Sequence, residues 1–280
     1  MDGTAGMQQP SYQLAALAWT LLLLAQQPRI LADVVDELDS VLHGGAPTLE
    51  QLPRLPLLER VIKESMRVLP PASVISRVST KPFQLGPYAM PKGAIVTISP
   101  YITHRLPELY PEPRAFKPER WERLDASPYD YIPFGAGPRM CIGASFAMME
   151  IKPVLAMVLQ RYRLTVVPGT RVNYQVKITL SPKGGLPMIV ARQDRHFRTT
   201  EVRGTVQRLV DLSPEELGPV EAWDGPPCHT TARDRSCIPS ACRGEHTAQH
   251  YSGLLSSKRA AVVWVASRAD RSTLMSRRWH

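Results

Sequence analysis

Cys141 is the side chain with the strongest claim to chemistry. It closes the run Phe134-Gly135-Ala136-Gly137-Pro138-Arg139-Met140-Cys141, followed by Ile142-Gly143. The glycines and the proline force a tight turn and strip away side-chain bulk, so a flat ligand can approach the backbone. A helical pattern over 142–161 is expected to place Cys141 at a helix start, where N–H groups favour the thiolate, the form that binds metal. Arg139 adds a forked donor suited to a carboxylate. A second pair, Glu64 and Arg67, has i,i+3 spacing, which brings the two side chains together on one helix face.

One thiolate does not hold a structural zinc, which takes about four ligands. No further Cys or His lies near this run. A single soft ligand beside a glycine-lined surface suits a metal whose other ligands come from a macrocycle, and haem iron with a Cys axial ligand is that arrangement. The alternative for a lone Cys is a buried structural thiol. A dinucleotide loop does not fit, because Gly135-Ala136-Gly137 lacks the third spaced glycine and follows no clear strand.

The run Phe134-x-x-Gly137-x-Arg139-x-Cys141-x-Gly143 resembles the haem-ligand loop of the cytochrome P450 family, the haem-thiolate monooxygenases. Glu64-x-x-Arg67 and the loop Phe116-Lys117-Pro118-Glu119-Arg120-Trp121 are similar to two further family motifs. The resemblance implies haem b (heme, iron protoporphyrin IX) on Cys141, propionates on Arg77 and Arg139, and Phe134 shielding the sulfur. It implies that Glu64, Arg67 and Arg120 form a structural network pinning the Cys141 loop. The alternatives are a solvated surface pair at Glu64 and Arg67 and a plain surface charge at Arg77. The implied reaction inserts one oxygen atom of dioxygen into a small organic substrate. Electrons come from NAD(P)H through a ferredoxin or a flavoprotein reductase.

The resemblance runs from about residue 2 to 193 and covers the C-terminal half of a family member. Residues 2–25 look like the distal helix, with Ala5 and Gly6 leaving room above the iron. At the family's acid and Thr positions stand Gln8 and Gln9. Gln neither ionises nor offers a hydroxyl, so the proton-delivery role at Gln9 passes to water or another group. The alternative reading of the whole chain is a catalytically inactive truncated fragment that leaves the haem and substrate pocket incomplete.

These residues need a scaffold. Helices are expected at 11–25 (apolar nearly all round, including Leu14, and therefore buried), at 28–42 behind Pro28, and at 56–69 behind Pro56. The last carries the stripe Leu58, Val61, Ile62, Ser65, Met66 and Leu69. Thr48-Leu49-Glu50-Gln51 has capping-box spacing. Period-two stretches predict strands at 74–78, 83–85, 95–99, 162–167, 174–180 and 188–191. Residues 105–140 form a long irregular stretch of the kind that carries function. Pro153 is expected to kink the helix after Cys141. The fold class is α+β, mostly helical, with small sheets as in the C-terminal part of the cytochrome P450 fold.

The 280 residues carry 34 Lys plus Arg against 25 Asp plus Glu, a net +9, with 44% hydrophobic residues. The chain can bury a core, and the charge excess alone does not indicate nucleic acid. The longest apolar run, residues 14–25, is too short to span a bilayer, and residues 1–10 hold no Lys or Arg for a signal peptide. A cytoplasmic location is expected. Composition breaks near Arg192, since Cys228, Cys237 and Cys242 and five of the seven histidines follow it. Two units are therefore expected: a partial cytochrome P450 domain at 1–191 and a poorly ordered basic tail at 192–280. A metal site on Cys237, Cys242, His246 and His250 lacks the usual gap between Cys and His pairs. Arg277-Arg278 gives no basic stripe with aromatics for nucleic acid.

Overall fold

The computed structural model describes residues 9–212 and 260–262. Helix α1 (Gln9–Ala25) and helix α2 (Pro28–Leu42) meet at a 112° bend across Gln26 and Gln27. Helix α3 (Pro56–Val68) follows, and Pro sits in the first turn of both α2 and α3, where its missing N–H costs nothing. Leu55, at the N-cap of α3, has no capping side chain. The carboxylate of Glu37 on α2 does the capping instead, accepting the N–H groups of Leu57 at 2.7 Å and Leu58 at 2.9 Å. A negative group is favoured there by the helix dipole. The Thr48 turn makes half of the expected capping box, with the Thr48 N–H donating to Gln51 Oε1 at 3.0 Å.

Strands β1 (Ile75–Val78), β2 (Phe83–Leu85), β3 (Tyr88–Met90) and β4 (Ile95–Ile98) come next. β1 pairs antiparallel with β4, with Ile75 opposite Ile98, and β2 pairs with β3. After the short helix α4 (Pro100–Thr103), residues 105–140 run largely irregular, as expected, with short 3-10 turns at Pro118–Glu122 and Gly137–Arg139. Helix α5 (Ala144–Arg161) then continues through Pro153. Strands β5 (Tyr162–Val166), β6 (Tyr174–Val176), β7 (Leu180–Pro182) and β8 (Met188–Arg192) close the fold as two antiparallel pairs, β5 with β8 and β6 with β7. The single strand expected at 174–180 is thus two, turned at residues 177–179, where the Lys177 N–H donates to the Thr179 carbonyl. β9 (Ala260–Val262) lies parallel to β4, with Ile95 opposite Ala260.

One core joins α1, α2, α3 and α5. Trp19, Leu22, Leu38, Leu58, Ile62 and Leu155 are fully buried in it. Two polar ties cross it. The Thr20 hydroxyl reaches Ser65 Oγ at 2.9 Å, and the Trp19 indole N–H donates to the Leu180 carbonyl at 2.9 Å. The α3 stripe is buried as its spacing predicts. α1 differs from expectation, because Leu14 is 63% exposed and Leu17 and Leu21 are half-buried. Its apolar residues exceed what this core covers.

The boundary expected near Arg192 falls inside packed chain. Val202, Val206, Leu209 and Val210 are buried in the common core. The Val172 N–H donates to the Arg203 carbonyl at 2.7 Å, and Arg105 donates to the Leu209 carbonyl at 2.8 Å. Gly204 makes the approach possible. It has φ +119°, and a Cβ there would lie 2.4 Å from the Val172 carbonyl oxygen. Cys228, Cys237, Cys242, His246, His250, Arg277 and Arg278 lie outside the described residues. Among the described residues no single helix is long and apolar enough to cross a membrane, and no group of three His, Cys, Asp or Glu side chains could hold a metal ion.

Candidate functional site

The site is built from a buried polar cluster upward. Glu64 and Arg67 project from one face of α3 with no exposure to solvent. Arg67 grips the carboxylate with Nε to Oε2 and Nη2 to Oε1, both at 2.9 Å, the forked geometry that guanidinium matches to carboxylate. Arg120 Nε donates to the same Oε1 at 2.9 Å. All three members of the expected network are brought together.

The sequence reading missed the rest of the cluster. The Lys117 backbone N–H and the Trp121 indole N–H complete the Glu64 shell at 3.0 and 2.9 Å. Arg67 also donates to the carbonyls of His104, Pro113 and Ala115 at 2.8 to 2.9 Å. A buried charge pair needs this, because each unpaired lone pair or N–H would cost desolvation energy without return. The available signal was the position of Lys117 and Trp121 close to Arg120, with Trp121 on its 3-10 turn and Lys117 at that turn's N-cap.

The aromatic residues of the irregular stretch pack around this cluster. The Trp121 and Tyr131 rings meet edge-on at 4.7 Å, and the Arg67 guanidinium lies 5.2 Å from the Tyr110 ring centre. Burial holds the phenols of Tyr110 and Tyr131 above the ordinary tyrosine range. From Tyr131 the chain passes directly into the glycine-rich run.

That run folds back on itself. Gly135 and Gly137 take φ +77° and +69°, a conformation glycine adopts without strain. The Cys141 N–H then donates to the Phe134 carbonyl at 2.9 Å. Gly143 takes the N-cap of α5, so the helix starts at Ala144, later than expected. Cys141 precedes the cap by two residues and so lies before the helix rather than at its start. Cys141 is exposed, which rules out the buried structural thiol.

Cys141 lines a cavity of about 450 Å³. This cavity is lined by Phe134, Gly143 and Phe146 from the same stretch of chain, by Ile75 and Arg77 of β1, and by Tyr12, Gln13 and Ala16 of α1. Of the expected site residues, Arg77, Phe134, Cys141 and Gly143 line this space, whereas Gly137 and Arg139 do not. Arg139 stands exposed on its 3-10 turn. Its carbonyl accepts from Arg77 Nη2 at 3.4 Å, so the two arginines meet at the rim. Ala5 and Gly6 lie outside the described residues, as does Gln8. Gln9 is the first residue of α1.

The reading from sequence took residues 2–25 for the distal helix but did not name Tyr12, Gln13 and Ala16, the α1 residues that line the cavity. The Gln13 side-chain amide donates to Glu150 on α5, clasping the two helices beside the cavity. Tyr12 and Gln13 stand four and three residues before Ala16, and this one-face spacing on α1 was the available signal. The lining offers one sulfur, the Arg77 guanidinium and three neutral polar side chains (Tyr12, Gln13 and Ser76) among mostly aromatic and aliphatic carbon. Phe146 remains 61% exposed, leaving apolar surface for a ligand to cover. This fits a flat, mainly apolar group with acidic arms and a metal that accepts one soft ligand.

Comparison with known proteins agrees with the geometry. Residues 14–186 match the family described as Cytochrome P450. The chain is 39% identical over 178 residues to cyclooctatin synthase of Streptomyces melanosporofaciens, covering 62% of this chain and 39% of that protein. It is 39% identical over 186 residues to probable cytochrome P450 4aa1 of Drosophila melanogaster, covering 64% and 36%. Against cytokinin hydroxylase of Arabidopsis thaliana the figures are 39% over 181 residues, 64% and 35%. The chain therefore spans between a third and two fifths of the length of these relatives. With its thiol-lined cavity and a match over more than half its length, the chain belongs to the cytochrome P450 family.

Proposed function

We propose that this chain forms the haem-binding part of a monooxygenase that inserts one atom of dioxygen into a small organic substrate. Electrons come from NAD(P)H through a ferredoxin or flavoprotein reductase. The observation that carries the reading is Cys141, an exposed thiol on the wall of an apolar cavity with Arg77 at its rim. Haem b, the family's cofactor, supplies when bound the iron at which dioxygen is activated.

The chain's own residues have the following work. Cys141 provides the thiolate ligand from the turn fixed by Gly137 and by the Phe134 carbonyl. Arg77 and Arg139 pair with the two propionates. Phe134 keeps water from the sulfur. Glu64, Arg67 and Arg120 hold the loop against the core. Gln9 offers no hydroxyl for proton delivery, so exchanging it for Thr should raise the share of electrons that reaches product.

The test uses the whole chain, because residues 193–212 belong to the packed core and a cut at 191 would remove them. The chain is produced with ample haem, reduced and exposed to carbon monoxide. A thiolate-type Soret band that is lost in Cys141→Ser supports the reading. Colourless protein, or a band unaltered in Cys141→Ser, overturns it.

A second reading is favoured by the exposed apolar residues Leu14 and Phe146. In it the chain is an inactive fragment whose pocket stays open. Haem that washes out during gel filtration, with no product formed under reductase and NADPH, would select this reading over the first.

A further inference from the structure

We propose that His104 is a positioning residue for the Cys141 loop, acting as a buried hydrogen-bond acceptor for the Ile132 backbone N–H. Its importance for haem ligation rests on the function proposed above, whereas the placement itself is read without haem.

His104 follows α4 and is fully buried. Its Nε2 accepts the Ile132 N–H at 2.9 Å. An imidazole nitrogen that accepts carries no proton, so the ring is neutral with its hydrogen on Nδ1. Nδ1 is buried near the carbonyls of Met66 and Arg67 but meets hydrogen-bond geometry with neither. The ring stacks on Tyr131 at 5.3 Å and meets Tyr110 edge-on at 6.2 Å.

From this point the bonds run toward the cysteine. The Ile132 carbonyl accepts the Gly135 N–H at 3.0 Å, and the Phe134 carbonyl accepts the Cys141 N–H at 2.9 Å. In the other direction, the His104 carbonyl accepts from Arg67 Nη1 at 2.8 Å. His104 thus joins the buried Glu64–Arg67 pair to the turn that carries the thiol. Protonation would set two donors against each other at Ile132. Burial opposes it most, and the positive charges of Arg67 and Arg105 add to the effect.

The test is amide hydrogen exchange on the haem-free full chain, with wild type compared to His104→Phe and His104→Gln. Phe keeps a ring against Tyr131 and removes the acceptor, while Gln keeps an acceptor and removes the ring. Losing one hydrogen bond should speed exchange at Ile132 and Cys141 by about tenfold in His104→Phe, with α2 amides unchanged. His104→Gln should stay within about threefold of wild type. Alkylation of Cys141 by iodoacetamide, read by peptide mass spectrometry, should change in rate with the same ranking.

Exchange in His104→Phe within about twofold of wild type at both amides overturns the proposal, as does a Gln variant as fast as the Phe variant. Should His104→Phe lose protection across α2 as well, His104→Gln decides alone. Retained protection at Ile132 then supports the role, and its loss overturns it. Because no haem is present, a failed carbon monoxide test leaves this result standing, and failure here leaves that test open.

Discussion

The Glu64 cluster and the Cys141 turn lie in one fold and have opposite designs. Around Glu64 both carboxylate oxygens are filled by five N–H donors from Arg67, Arg120, Lys117 and Trp121, and no solvent reaches the carboxylate or Arg67. Around Cys141 the thiol is exposed, Ile142 is wholly exposed, and Phe146 turns most of its ring outward. Charged groups are spent on the closed region and apolar ones on the open region, the reverse of ordinary burial preference. The difference separates two tasks. The first region holds a conformation and needs nothing from outside. The second offers a surface that is complete only with something against it.

The contrast breaks most severely at Glu64. Glu64→Gln would leave Arg67 buried without the carboxylate that balances its charge, its remaining partners being neutral carbonyls. Losing one partner of such a pair costs about 3 to 5 kcal/mol. Denaturant unfolding should show a midpoint shift of that size. A loss under about 1 kcal/mol would mean that the cluster is wetter than its geometry implies.

Gly204→Ala tests whether residues 193–212 belong to the closed region. The added Cβ meets the Val172 carbonyl, and the φ of +119° is foreign to alanine. A destabilisation of about 2 kcal/mol or more is expected by thermal or denaturant unfolding. No change would place this segment outside the cooperative unit.

How much of this was legible in the sequence depends on the physics behind each part. Helices α2 and α3 announce themselves through Pro at the start and a steady apolar stripe. The Glu64–Arg67 pairing follows from i,i+3 spacing, and the Cys141 turn from its glycines. Packing of residues 193–212 was not legible. Its anchors Val202, Val206, Leu209 and Val210 are interleaved with Arg203 and Arg208, and its ties are backbone carbonyls taken by Arg105 and Arg114. Side chain to backbone bonds across such distances leave no periodic trace. The break of 174–180 into β6 and β7 was hidden for a similar reason, since the turn at 177–179 contains neither Gly nor Pro. The exposure of Leu14 lay beyond a rule that buries apolar helices, because that rule presumes a partner for every face.

Acid should sharpen the contrast through His104. Burial first, then Arg67 and Arg105, pushes its pKa down to about 3 from an ordinary 6.5. The unfolded chain therefore binds this proton more readily than the folded one. The contribution to stability is intact above pH 6.5 and drains away as pH falls toward 3. The slope approaches 1.4 kcal/mol per pH unit, giving a loss of about 2 kcal/mol by pH 5. Unfolding midpoints taken between pH 7 and 5 should fall accordingly in wild type and flatten in His104→Gln. An equal fall in both would assign the slope to other groups.

Cys141→Ser carries the smallest expected effect on the fold. The thiol is exposed, and the turn around it is held by the Phe134 carbonyl and by two glycines with positive φ. None of these depends on the sulfur. Stability should shift by less than about 0.5 kcal/mol, as for other exposed substitutions. The same exchange should abolish the thiolate-type carbon monoxide band. A residue whose loss leaves the fold intact and removes the ligand signature is held in place by its surroundings for a partner outside them. If Cys141→Ser instead unfolded the chain, the open region would be supporting the closed one, and the division of labour drawn here would collapse.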